Sequence, residues 1–168
     1  MKLYFKQKAF SFKGKGTILD ENGDDRYYFE GKVFSLGKKI TITDLSGNEV
    51  AFIRQKVPSI RPRYFVEIGG EQVAAVVGKF KILKHEFTVE GPEWDVRGNF
   101  SGHDYSVVEG ETAVASIHKQ WFTWGDAFEI DIADPKNEII VLGIVMAIDA
   151  VLDAESASAA SAASSSTN

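Results

Sequence analysis

The 168-residue sequence contains no cysteine. That excludes a disulfide framework, thiolate zinc sites and a cysteine nucleophile. Proline is scarce, and Pro58, Pro62, Pro92 and Pro135 each fall where a regular element is expected to stop or begin. An excess of positive charge is missing too. The formal net charge is −5, which argues against a nucleic-acid surface over the whole molecule and weakens any membrane-surface reading. The opening MKLYFKQKAF lacks the apolar run of a signal peptide, so a cytosolic location is expected. A run long enough to span a bilayer is also lacking. Ile139–Leu152 (IIVLGIVMAIDAVL) falls short of the roughly 20 apolar residues a span needs and carries Asp149. Finally, there is no Gly-x-Ser-x-Gly elbow, no His-Glu-x-x-His and no phosphate-binding loop, and Gly14-Lys15-Gly16 is too short to count as one.

What remains is mostly strand signal punctuated by turns. Leu3–Gln7, Gly16–Leu19, Arg26–Phe34, Lys39–Thr43 and Val50–Val57 come first, with Asn22-Gly23 and Ser46-Gly47-Asn48 as turns between them. After the proline-rich connection VPSIRPRY follow Arg63–Ile68, Gln72–Phe80, Glu86–Glu90, Glu93–Phe100, Asp104–Val108, Thr112–Gln120 and Ala127–Ala133. WFTWGD, with Trp121 and Trp124, reads as a turn that lines a pocket or caps the end of a core. A repeat is visible: FSFKGKGTILDENGD from Phe10 matches FSLGKKITITDLSGN from Phe34, pairing Thr17 with Thr41, Ile18 with Ile42, Asp20 with Asp44 and Gly23 with Gly47. This predicts a duplicated hairpin.

Where a further return strand is due, the chain gives Asp134 as an N-cap, Pro135 at the first helical position, and the apolar run. In that run only Gly143 and Asp149 are not apolar, so a helix there is apolar on every face and must be buried all round. About twelve strands spaced about 11 residues apart suggest a barrel or sandwich, and a twelve-stranded barrel is too wide to fill with its own side chains. A helix is about 10–12 Å across with side chains and fits the hole. The predicted fold is therefore mainly β with one helix: a closed antiparallel barrel of about twelve strands around a central buried C-terminal helix over about 136–155. Ala75, Ala113 and Ala115 are expected to face the helix and make room for it. Residues 1–155 form one domain on this reading. The Ala/Ser-rich tail 156–168 is expected to be disordered, or frayed helix at its start.

The hairpin FSLGKKITITDLSGNEVAFIRQK (Phe34–Lys56), the segment EGPEWDVRGNF (Glu90–Phe100), KQWFTWGDAFEIDI (Lys119–Ile132) and the terminal helix together resemble the LURP-one-related family. That family is part of the tubby C-terminal-like group, with phospholipid scramblases as further relatives. The resemblance implies a twelve-stranded barrel around a hydrophobic helix, with no assigned enzymatic activity and no cofactor. Tubby relatives bind phosphoinositide headgroups through basic surface residues, and scramblase relatives act at membranes.

The residues best suited to such a role are Arg54, Lys56, Arg61 and Arg63, clustered around the proline-rich connection. Guanidinium and ammonium groups suit phosphate oxygens. The plainer explanation, which composition favours, is a strand end guarded by charge against edge pairing. Lys79, Lys81 and Lys84 form a weaker second cluster. His85, His103 and His118 are scattered. The acids next to two of them point to the opposite strand face, so no dyad or metal site is expected. Asp20, Asn22, Asp24 and Asp25 lack the spacing of a calcium loop. Asp149 is expected near a barrel mouth, solvated or bonded to backbone, or else as a buried polar site on the lumen wall. The sequence thus predicts a non-enzymatic binding module for anionic phospholipid or phosphoinositide headgroups, peripheral at a membrane, or else a protein-interaction scaffold with no small ligand. It specifies no oligomeric state.

Overall fold

The computed structural model describes residues 1–6, 14–32, 36–81, 84–100, 102–122 and 125–165. Phe10, Phe34 and Trp124 lie outside the described residues, as do the side chains of Lys81, Lys84, His85 and Trp121. The twelve strands are β1 (Lys2–Lys6), β2 (Gly14–Leu19), β3 (Asp25–Lys32), β4 (Lys39–Thr43), β5 (Glu49–Gln55), β6 (Arg63–Ile68), β7 (Glu71–Lys81), β8 (Lys84–Glu90), β9 (Trp94–Asn99), β10 (Asp104–Glu109), β11 (Thr112–Phe122) and β12 (Gly125–Ile132). Each pairs antiparallel with its sequence neighbour, and β12 closes the barrel on β1. The partner of β12 beyond β11 is therefore the N-terminal strand. The Met1 ammonium donates to the Ile132 carbonyl at 3.0 Å, and the Ile132 N–H donates to the Met1 carbonyl at 2.9 Å.

Period-two alternation sets the lumen. Inward residues meet across the ladder as Leu3/Ile130, Phe5/Ile18, Phe29/Ile42, Ile40/Ile53, Ile53/Val66, Val66/Ala74, Phe87/Val96 and Tyr105/Ile117, all buried. The backbone bonding of the turn recurs in the repeat. Asp20 Oδ1 accepts from the N–H groups of Asn22 and Asp24, as Asp44 Oδ1 does from those of Ser46 and Asn48. Gly23 and Gly47 have φ of 85° and 86°, a left-handed conformation that glycine adopts without strain. A register shift follows Ile18 in one hairpin and Ile42 in the other.

Two lumen assignments need correction. Ala113 is exposed, and Ala75 faces Phe65 and Glu90 on the outer wall; Ala74 and Ala115 are the small inward residues. Bulges in the β6–β7 and β10–β11 pairings shift the alternation, so strict period-two counting along β7 and β11 picks the wrong alanines.

The helix α1 (Glu138–Ser165) starts at one barrel end and runs through the lumen to the other, nearest β5, β6 and β7. Asp134 does cap, but it caps a 3₁₀ turn, Pro135–Asn137, that precedes the α-helix; its carboxylate accepts from the Lys136 N–H at 3.0 Å. Every residue from Val141 to Val151 is buried. Gly143 lets the helix approach β6: a Cβ there would lie 2.5 Å from Val66 Cγ1. The buried stretch of the helix is latched on both sides. Arg26 on β3 donates twice to the Glu138 carboxylate, at 2.7 and 2.9 Å. At the far end, Lys38 Nζ meets Asp153 Oδ2 at 2.6 Å. The backbone continues as helix to Ser165, beyond the expected end near Glu155. Alanine is the strongest helix former, and no glycine or proline stops the chain there.

Candidate basic groove and barrel end

Because all strand pairs are antiparallel, successive connections alternate between the two barrel ends. The connection β5–β6, residues 56–62, folds over the outer wall at the end where α1 exits. It is pinned by backbone bonds from Lys56 N–H to the Arg63 carbonyl (2.8 Å) and from Gly78 N–H to the Pro62 carbonyl (2.9 Å). Ser59 Oγ donates to the Arg61 carbonyl at 2.6 Å. Between this connection and the outward faces of β7 and β8 lies a groove of about 960 Å³.

Lys56, Arg61, Arg63 and Lys79 line the groove, with Pro58, Ile60 and Val77 supplying apolar surface. Three of the four proposed ligand residues are thus brought together. Arg54 lies on the same outer face but is committed elsewhere, to an ion pair with Glu67 and to the Phe65 ring, with its guanidinium carbon 4.5 Å from the centroid. Lys79 replaces it, reaching the groove from the end of β7. Glu90 is the one acid in the lining. It holds Arg63 through two bonds of 2.9 and 3.1 Å, fixing that guanidinium against the wall. Among the described residues, Lys56, Arg61 and Lys79 have no ion-pair partner. The arrangement can hold a group with several anionic oxygens beside an apolar patch.

The described connections at the two ends of the barrel differ in charge. The described connections at the helix-exit end hold Lys38, Lys56 and Arg61 and no acid. Those at the other end hold Asp20, Glu21, Asp24, Asp44, Glu93, Glu111 and Asp134 against Lys136 alone. Hydrogen bonds from the Asp24 N–H and from Asn48 keep the Asp20 and Asp44 carboxyls below the usual carboxylate range, so this end stays anionic in mild acid. A net charge of −5 therefore hides an uneven distribution over the connections, with Asp149 and Asp153 of α1 as acids at the helix-exit end. Sequence counting missed it because the sign of each end emerges only when the connections are sorted by parity.

Asp149 is buried and, among the described residues, bonds to a side chain and not to backbone. It is 4% exposed, and its carboxylate lies 3.1 Å from His103 Nε2, on the β9–β10 connection at the helix-exit end. Burial pushes its pKa up to about 6, with the His103 contact pulling the other way, Asp153 adding to the rise and Lys38 opposing it. The His103 backbone takes φ of 50°, uncommon outside glycine, and its ring lies 4.3 Å from that of Phe128. His118 pairs with Asp104 at 2.7 Å across β10–β11, on the exposed wall. Both partners are remote in sequence, which is why neighbour-based reading found no pair. Among the described residues, no three His, Asp or Glu side chains converge to hold a metal ion, and no helix is long and apolar enough to cross a membrane.

Comparison with known proteins places this architecture. The family model described as LURP-one-related matches residues 1–149. The uncharacterized protein YxjI of Bacillus subtilis (strain 168) is 35% identical over 152 residues, covering 90% of this chain and 94% of that protein. The X-ray structure of a protein from Arabidopsis thaliana aligns with a TM-score of 0.56 at 20% identity, over 86% of this chain and 88% of that one. At that identity the likeness is one of fold.

Proposed function

We propose, given that this chain belongs to the LURP-one-related family, that it is a non-enzymatic binding module that holds an anionic lipid headgroup in the outer groove. The observation that supports this reading most is the convergence of Lys56, Arg61, Arg63 and Lys79 on one concavity, beside an apolar patch, at the barrel end whose described connections carry no acid. A phosphorylated headgroup offers oxygens to guanidinium and ammonium donors, and Arg63, pre-positioned by Glu90, loses little freedom on binding. The attraction is Coulombic at a partly exposed site, so it weakens as salt rises.

Flotation with vesicles of phosphatidylcholine containing a few per cent phosphatidylinositol bisphosphate tests this, together with titration of soluble inositol trisphosphate. Wild type binds both. Lys56→Ala/Arg61→Ala loses about tenfold or more in each, since a hydrogen bond to a charged group is worth about 1.5–3 kcal/mol. Arg54→Ala binds like wild type. Absence of wild-type binding, or equal binding by the Lys56/Arg61 variant, refutes the reading.

A further inference from the structure

We propose that the barrel docks to an anionic bilayer through the rim of its helix-exit end, with Leu36, Val57 and Ile60 entering the interface between headgroups and acyl chains. The proposal extends the headgroup reading from a groove to a membrane-facing surface.

Leu36 is 91% exposed and Ile60 is 100% exposed, the two most solvent-accessible large apolar side chains among the described residues; Val57 is 48% exposed. Leu36 belongs to the β3–β4 connection, the other two to β5–β6, and both connections lie at the helix-exit end. They touch: a Cβ on Gly37 would lie 2.8 Å from Val57 Cγ2, and Gly37 has φ of 89°, so two glycine properties let these connections pack together. The three aliphatic side chains therefore sit on adjoining connections, beside the groove.

Charge selects the occupant. Lys56, Arg61 and Lys79 stand next to the aliphatic tips, while the acids of the described connections gather at the opposite end; on α1, Asp149 is buried and Asp153 is paired with Lys38. An anionic surface attracts the rim that carries these cations and repels the connections at the opposite end, which turns the tips toward the bilayer beside the emerging helix. Aliphatic residues bordered by lysine and arginine are the composition that shallow interfacial binding uses. Leu45, 57% exposed beside Asp44 at the acidic end, has no such setting and serves as an internal control.

The test uses the full chain, with flotation on pure phosphatidylcholine vesicles, on vesicles with about 30% phosphatidylserine, and on vesicles with phosphatidylinositol bisphosphate, beside titration of soluble inositol trisphosphate. Wild type is expected to float on both anionic compositions and not on the neutral one. Leu36→Ser, which lies outside the groove, is expected to keep inositol trisphosphate binding while losing about fivefold in vesicle affinity, and Leu36→Ser/Ile60→Ser about tenfold or more. Leu45→Ser floats like wild type. If Leu36→Ser and the double variant float like wild type, insertion is refuted while headgroup capture stands. If wild type binds anionic vesicles through the aliphatic tips but takes no inositol trisphosphate, the headgroup reading fails and the docking surface stands. Flotation indifferent to vesicle charge, or none on any anionic vesicle, overturns the docking proposal and turns the aliphatic cluster toward a protein partner.

Discussion

Replacing Gly143 by alanine should destabilise the protein, against the usual expectation for a glycine inside a helix. In an unconstrained helix that change gains about 1 kcal/mol. Here the new methyl would lie 2.5 Å from Val66 Cγ1, where carbon atoms pack at about 3.5–4.0 Å. Val66 is fully buried between Ile53 and Ala74 on the neighbouring strands, and its branched side chain has little rotamer freedom. Overpacking of this kind costs about 1–3 kcal/mol, so against the helix-propensity gain a net loss of up to about 2 kcal/mol is expected. Val66→Ala alone removes buried methyl groups and leaves a void, costing roughly 2–3 kcal/mol. In that background Gly143→Ala should become neutral or stabilising, a favourable coupling of about 2 kcal/mol. Equilibrium unfolding in guanidinium, followed by the fluorescence of the three tryptophans, measures all four corners of the cycle. If Gly143→Ala stabilises by about 1 kcal/mol, or if the two changes simply add, the helix does not press against β6 and the barrel-filling account fails.

Ile144 and Ile148 are fully buried on α1, so an aspartate at either position should abolish soluble folded protein, seen as loss from the soluble fraction, whereas deletion of Ser158–Asn168 should leave the melting temperature unchanged within a degree or two. Asp149 gives a pH signature. Its native pKa, about 6, lies above the ordinary value of 3.8, so its contribution to stability is fully present below that value and is lost as pH rises through about 6. The contribution is at most roughly 3 kcal/mol. Asp149→Asn should therefore gain on wild type between pH 4 and pH 8 in denaturant midpoints, and a gap that stays constant or shrinks over that range contradicts the burial argument.

The strand series was legible because turn chemistry and alternation agree along the chain. All twelve strands lie within a few residues of where Asn-Gly, Gly-Gly and Gly-Pro signals and alternating apolar positions put them. The buried helix was legible for a different reason, since nothing but an enclosed site accepts a run apolar on every face. Its length was not: the Ala/Ser composition reads as core-poor, yet alanine propensity carries helical backbone to Ser165. Bulges in the β6–β7 and β10–β11 pairings hid which alanines line the lumen, because one extra residue reverses the alternation beyond it. At the groove, sequence proximity gathered Lys56, Arg61 and Arg63, which the structure places in one lining. It also included Arg54, which Glu67 and Phe65 hold, and it placed Lys79 in a separate cluster. Lys79 lies far away in the chain, and only the β6–β7 pairing brings it alongside. The aliphatic tips escaped notice because exposure of Leu36 and Ile60 is a tertiary fact.

The absence of native cysteine makes the central claim directly measurable, because single cysteines can be placed and labelled without background. A polarity-sensitive fluorophore on Leu36→Cys or Ile60→Cys, at the basic end, should shift to the blue when phosphatidylserine-containing vesicles are added. It should also be quenched by spin labels placed shallow in the acyl chains. The same fluorophore on Ser46→Cys, at the acidic end, should not respond to either. A shift at position 46 equal to that at 36 and 60, or no shift at 36 and 60 while the protein is vesicle-bound, contradicts docking through the rim that carries the basic connections.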